Sequence, residues 1–238
     1  MPNQPFKLHH ISAKNLGSLA MPDCCPRCFW IRARMGFKGP WSVFPSIFSH
    51  IDSFTKKVTA AHLASRAAPP QWLLKFGRLA GRIPCPHWSK FAFEDSATGT
   101  VLRGSPDEMF WVEDGTLAIL DYKTARFTER EDELLPVYRV QLGGYRWLAR
   151  KTGLGETSVT GLIYYEPATE SATMADIVEG GFRMGFAAHI LPVETDLAEV
   201  ERLLLEANRI ASLPVPPEGI KGCKDCGLVD EIRALDLA

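Results

Sequence analysis

The chain has no run of about 18 apolar residues, and so no candidate membrane span. Its start, "MPNQPFKLHHIS", lacks the apolar stretch of a secretory signal peptide. These absences point to the cytoplasm, where thiols stay reduced, so the six cysteines read as metal ligands or core residues rather than disulfides. No repeat, low-complexity tract, helicase motif or G-x-x-x-x-G-K is present, so any ATP-driven motion would have to come from another chain. Acid is scarce at the front. Residues 1–90 hold 2 Asp/Glu against 13 Lys/Arg, whereas residues 91–238 hold 26 against 14. The net charge of −1 hides this asymmetry. A basic half suggests a polyanion partner, unless the two halves neutralise each other on folding.

What is present is an ordinary globular composition, enough to bury a core. Phe44, Ile47, Phe48, Ile51, Phe54 and Val58 recur at helical spacing and predict an amphipathic helix that ends before "APPQ". From Phe91 the pattern changes to strands: a hairpin around "SATG", a second around "EDG", then a helix ended by Gly153. Two further strands, "SVTGLIYYEP" and "FRMGFAAHILPVE", precede a helix that starts at Thr195 or Asp196, and "CKDC" opens a short tail. This order predicts a mixed α/β domain, divided into a basic helical and cysteine-bearing segment (1–90), a core (91–212) and a cysteine-bearing tail (213–238).

"LAILDYK" carries the chemistry. Both of its faces are apolar before position 121, as in a central strand, and alternation puts Leu117, Ile119, Asp121 and Lys123 on one face. The turn before it decides what stands opposite Asp121. A two-residue loop at Asp114-Gly115 would bring Glu108 there; a three-residue loop at Glu113-Asp114-Gly115, with Gly115 left-handed, would bring Asp107. Either way two carboxylates meet, which suits a hard divalent cation such as Mg²⁺ or Mn²⁺, with Lys123 beside it for a phosphoryl oxygen. A solvated Asp–Lys surface pair would be the plainer explanation of "DYK" taken alone.

Two C-x-x-C knuckles, Cys25/Cys28 and Cys223/Cys226, could supply four thiolates to one site and staple the two ends of the chain together. Cys24 could substitute for Cys25, and Cys85 reads as a buried thiol. Arg27, Arg32, Arg34, Lys38, Lys56 and Lys57 are interleaved with Phe29, Trp30 and Trp41. Cations grip phosphates and aromatics stack on unpaired bases, which suits single-stranded DNA or a DNA end, unless those aromatics belong to the core.

"GSPDEMFWVEDGTLAILDYKTA" resembles the core of the PD-(D/E)XK nucleases, RecB-like branch. Gly104-x-x-Asp107 precedes Asp121-x-Lys123, and Gln141-x-x-x-Tyr145 follows on the next helix. The resemblance implies a restriction-endonuclease-like mixed central sheet flanked by helices, with N- and C-terminal segments joined by a cysteine metal site. It implies a metal-dependent DNA nuclease, an exonuclease on single strands or ends. Asp107, Asp121 and the Tyr122 carbonyl would bind the metal, Lys123 would act on water and phosphate, and Gln141 and Tyr145 would position substrate or the Lys123 region. A further acid or His belongs on the preceding helix, where Asp52 is the candidate and His50 the runner-up. CRISPR-associated iron–sulfur exonucleases and a helicase–nuclease subunit are similar in flanking the core with cysteines. They imply a 4Fe–4S cluster here, with Zn²⁺ as the alternative because this chain has two and two cysteines where those have one and three. A helicase, or a recombination or CRISPR protein, is the partner so implied, and DNA repair is one setting. An inactive nucleic-acid-binding module and a metal-stapled interaction protein are the other readings of the same residues.

Overall fold

The computed structural model describes residues 6–38, 46–65, 69–124, 133–171 and 173–235. In chain order its elements are β1 (His10–Ser12), α1 (Ala13–Gly17), α2 (Pro26–Arg34), α3 (Ser46–Ser65), β2 (Leu79–Ile83), β3 (Ala92–Asp95), β4 (Thr100–Arg103), β5 (Glu108–Val112), β6 (Leu117–Lys123) and α4 (Leu135–Lys151). They continue with β7 (Thr157–Pro167), β8 (Ile177–Val178), β9 (Gly181–Phe182), β10 (Phe186–Pro192), α5 (Leu197–Ser212) and α6 (Lys224–Leu235).

The central sheet runs β10-β7-β6-β5-β2. Only β6 and β7 pair in parallel, so it is a mixed sheet, with β6 in the middle. The apolar residues of β6 explain this position, because each of its faces meets its own core. Leu117 and Ile119 join the larger cluster with Val140 and Leu148 of α4, Val200 and Leu204 of α5, and Leu8, Leu16 and Phe29 from the N-terminal region. Ala118, Leu120 and Tyr122 join a smaller cluster with Leu73, Phe76, Ile163 and Tyr165. A second sheet, β1-β4-β3, completes the fold, with β1 parallel to β4 and β3 antiparallel to it.

The "EDG" turn has the three-residue form. Val112 N–H donates to Thr116 O, and Gly115 has φ 82°. The resulting register pairs Glu108 with Leu120, so Asp107 falls opposite Asp121 one step further on. Glu108 is left on the other face, 1% exposed, and held bidentately by Arg82 of β2 at 2.7 and 2.9 Å.

The structure departs from the sequence expectation in three places. No strand was predicted before Phe91, yet β1 and β2 lie there. β2 is a short sheet edge whose register with β5 shifts between Leu79 and Gly81, and its Ala80-Gly81-Arg82 centre lacks the β-branched and aromatic residues that mark a strand. The "CKDC" tail is helical, forming the first turn of α6. On α3, Ile47, Phe54 and Val58 are 59, 58 and 48% exposed, and Thr55 and Thr59 face inward instead. Thr59 Oγ1 lies 3.2 Å from the Tyr165 hydroxyl, so the helix packs through small polar residues. Phe44 and Trp41 lie outside the described residues. Of the other aromatics proposed to stack on bases, Phe29 is core, and Trp30 donates its indole N–H to Leu213 O at 2.9 Å beneath the Arg34 guanidinium.

Candidate active site and cysteine centre

The C-terminal end of β6 brings together the predicted Asp107, Asp121, Lys123, Gln141 and Tyr145. Asp107 sits just before β5, and its Oδ2 accepts the Tyr122 N–H at 2.7 Å, so its carboxylate continues the β5–β6 ladder. Its Oδ1 faces an ammonium, Lys56 Nζ at 2.8 Å. Asp121 is built the same way. Its Oδ1 accepts from Gln141 Nε2 at 3.1 Å, and its Oδ2 lies 2.6 Å from Lys123 Nζ. Each carboxylate thus has one oxygen pinned by a neutral N–H and the other turned to a cation. Oxygen donors pre-aimed at positive charge fit a hard divalent ion.

α4 locks this arrangement. Gln141 lies one turn before Tyr145 on a buried face. It donates to Asp121 and approaches the Tyr145 hydroxyl at 2.7 Å, while its Oε1 accepts from Lys123 Nζ at 3.2 Å. One amide therefore fixes both members of the Asp121–Lys123 pair. The Tyr138 ring lies under the Lys123 ammonium at 4.0 Å. Gly104 has a packing reason: a Cβ there would sit 2.6 Å from the Tyr145 ring. The Gly-x-x-Asp spacing thus lets Tyr145 approach the backbone that leads into Asp107.

Burial pushes the Asp121 carboxyl up to about 6, against the pull of the Lys123 ammonium, and the Asp107 charge adds to the rise. Burial also opposes the charge on Lys56, but Asp107 and Asp52 more than offset it and hold that ammonium above the ordinary lysine value. Asp52, on α3, reaches the site only through Lys56, whose Nζ is 2.8 Å from Asp52 Oδ2 as well as from Asp107. His50 is exposed, with Nδ1 2.9 Å from Ser46 O. The structure thus joins Asp52, and not His50, to the carboxylate pair. Sequence reasoning passed over Tyr138 and gave Lys56 only a general phosphate-binding role. Their signals were the i,i+4 spacing of Asp52 and Lys56 and the i,i+3 spacing of Tyr138 and Gln141 on single helix faces.

The four cysteines form the second cluster. Cys25 caps α2 and Cys28 lies in its first turns, while Cys223 and Cys226 sit at the start of α6. All four Sγ atoms lie within 4.8 Å of one another. Cys25–Cys226, Cys28–Cys226 and Cys28–Cys223 are 3.4, 3.4 and 3.5 Å apart. Four thiolates around one zinc at about 2.3 Å stand roughly 3.8 Å apart. On a cubane each thiolate binds its own iron, which spreads the sulfurs to roughly 6 Å or more. Four sulfurs this close can share one metal centre.

The surroundings treat the thiols unequally: burial pushes Cys226 up to about 11 and raises Cys28 as well. Burial opposes ionisation of Cys25, but the backbone N–H groups of Cys28 and Ile220, with Cys226 and Cys28, hold its thiol down at about 6. Gly219 permits the close approach, since a Cβ there would lie 2.9 Å from Cys226 Sγ. Arg27 reaches across to Asp230 with two hydrogen bonds, clamping α2 to α6 beside the sulfurs. Cys24 stands outside the cluster, its thiol pushed by burial up to about 11, and Cys85 packs against the main core.

The family model of the PD-(D/E)XK nuclease superfamily matches residues 47–230, most of the chain, and the chain belongs to that superfamily. The match spans both carboxylates, Lys123, Gln141, Tyr145 and the second cysteine pair. A metal-dependent nuclease acting on nucleic acid is the general activity of this class. Among solved structures, "Crystal structure of SSO0001" is similar at 15% identity and a TM-score of 0.41, covering 86% of this chain and 77% of the other. No curated protein matches. Among the described residues, no helix is long and apolar enough to cross a membrane.

Proposed function

We propose that the protein is a metal-dependent DNA nuclease of the RecB-like branch, working in the cytoplasm as an exonuclease on single strands or DNA ends, alongside a helicase, recombination or CRISPR protein. The observation that carries the nuclease reading is the paired construction of Asp107 and Asp121, each with one oxygen pinned and one turned to a cation. Held by Asp107, Asp121 and the Tyr122 carbonyl, with Asp52 at the edge, a divalent ion would supply Lewis-acid activation of water and neutralise phosphate charge. Lys123 is the catalytic lysine. Asp121, Gln141 and the Tyr138 ring fix its ammonium in place, so it meets the developing charge on a phosphoryl oxygen without reorganising. Gln141 and Tyr145 are positioning residues, acting through the Asp121–Lys123 pair. The exposed Arg32, Lys38 and Lys57 supply cations for the nucleic-acid backbone, whereas Arg27 and Arg34 are engaged within the protein.

The cysteine centre is a closed structural site in this reading. The sulfur spacing favours one zinc ion over an iron–sulfur cluster, and four protein thiolates leave no open position for substrate. Its task is to hold the basic N-terminal region against the tail. Metal analysis of protein purified without oxygen tests this: about one zinc per chain is expected, and four irons with acid-labile sulfide would overturn it.

The nuclease reading is tested with end-labelled single- and double-stranded DNA in Mn²⁺, Mg²⁺ or EDTA, comparing wild type with Asp121→Ala at equal folded concentration. Metal-dependent cleavage lost in the variant is expected, with product lengths separating exonuclease from endonuclease. DNA retention without cleavage by zinc-loaded wild type would move the reading to an inactive binding module.

A further inference from the structure

The candidate active site holds two lysines, and they are anchored differently. Lys123 is 11% exposed at its side chain and is held by Asp121, the Gln141 carbonyl oxygen and the Tyr138 ring. Lys56 is 38% exposed and reaches the site from α3, its ammonium suspended between Asp52 Oδ2 and Asp107 Oδ1, 2.8 Å from each. Asp107 Oδ1 is the one oxygen of that carboxylate not pinned by the Tyr122 N–H. A cation therefore already sits on the oxygen that a divalent ion would need.

We infer that Lys56 is a resident competitor that sets the metal concentration at which the site loads. A divalent ion at Asp107 would meet the Lys56 ammonium on the same oxygen and would have to compete with it. The pairing with Asp52 four residues back on the same helix lets it leave without losing every partner. Lys123 cannot serve this role, because the Gln141 amide and the Tyr138 ring hold it in place. Lys56 is thus a positioning residue that acts on metal occupancy. The inference rests on the nuclease reading for the site's need of a metal.

The sign of one measurement separates this role from an ordinary structural one. If Lys56 merely oriented Asp107 and Asp52, its removal would weaken metal binding; if it competes, its removal strengthens binding. The test is Mn²⁺ binding without DNA, read from the free-ion electron paramagnetic resonance signal, on whole protein with its cysteine centre intact. Mn²⁺ prefers carboxylate oxygen to thiolate, so the reading reports the carboxylate site. Lys56→Met is expected to bind Mn²⁺ about two- to fivefold more tightly, the scale of losing one partly exposed ion pair. Lys57→Met, which removes the neighbouring exposed charge, is expected to leave the affinity unchanged in 0.3 M salt, where general electrostatics are screened. Unchanged or weaker binding in Lys56→Met, or an equal gain in Lys57→Met, would overturn the inference. A wild type that binds no Mn²⁺ would instead sink the nuclease reading beneath it. Circular dichroism and melting of each variant establish that the folds compared are the same.

Discussion

The two clusters are built by opposite means. The carboxylate–lysine site comes mostly from one stretch of chain, Gly104 to Tyr145, with α3 contributing Lys56 and Asp52. Its groups are hard oxygens and ammonium ions, each already satisfied by a neighbour, and Lys56 and Asp107 remain partly exposed. The cysteine centre joins residues about 200 positions apart, uses soft sulfur donors, and is flanked by Gly219 and the Arg27–Asp230 clamp. In the proposed reading the first holds an ion that comes and goes, and the second an ion that stays and substitutes for core. A chain can thus carry two metal sites that do not compete, because hard and soft donors sort the ions.

The comparison breaks most visibly if the staying site is removed. Cys25→Ser with Cys226→Ser should lose the zinc and lower the melting temperature by about 10 °C, since each kcal/mol is worth about 2–4 °C at this size and structural zinc contributes several. An unchanged melting curve would show the cysteines to be bystanders. Loosening the exchanging site should spare the fold and damage the chemistry. Gln141→Leu is expected to cut cleavage or Mn²⁺ affinity about 10- to 100-fold, as removing the outer partner of metal ligands does. Gly104→Ala should be milder, costing about 1–3 kcal/mol of stability from the clash with Tyr145, read in a denaturant titration.

The smallest effect is pH dependence. Asp121 must lose its proton to bind a cation, and its carboxyl sits up at about 6. Mn²⁺ affinity should therefore be flat above that pH and fall up to about tenfold per unit below it. An affinity that stays constant down to pH 4.5 would mean that Asp121 is not a ligand.

Much of the exchanging site was legible because its signals are local. The apolar "LAIL" run placed β6 in the middle of the sheet, and strand alternation separated Asp121 and Lys123 from Tyr122. The turn was ambiguous between two and three residues, so sequence could not choose Asp107 over Glu108; the Gly115 conformation decides it. The long-range part was less legible. Ile47, Phe54 and Val58 misled because α3 docks through Thr55 and Thr59, a surface whose hydroxyls no hydrophobic pattern can mark. Arg82 carried no signal in the sequence, and only the pairing of β2 with β5 brings it onto the buried Glu108. The cysteine pairs announced a metal centre, and the fold brings all four sulfurs together from the two ends of the chain.

The most direct measurement of the central claim is metal content and cleavage followed together through one cycle of EDTA dialysis and Mn²⁺ return. Cleavage of single-stranded DNA should vanish in EDTA and recover with Mn²⁺, while about one zinc per chain stays bound throughout. Cleavage that survives EDTA, or that disappears only when the cysteine-bound metal is lost, would contradict the account.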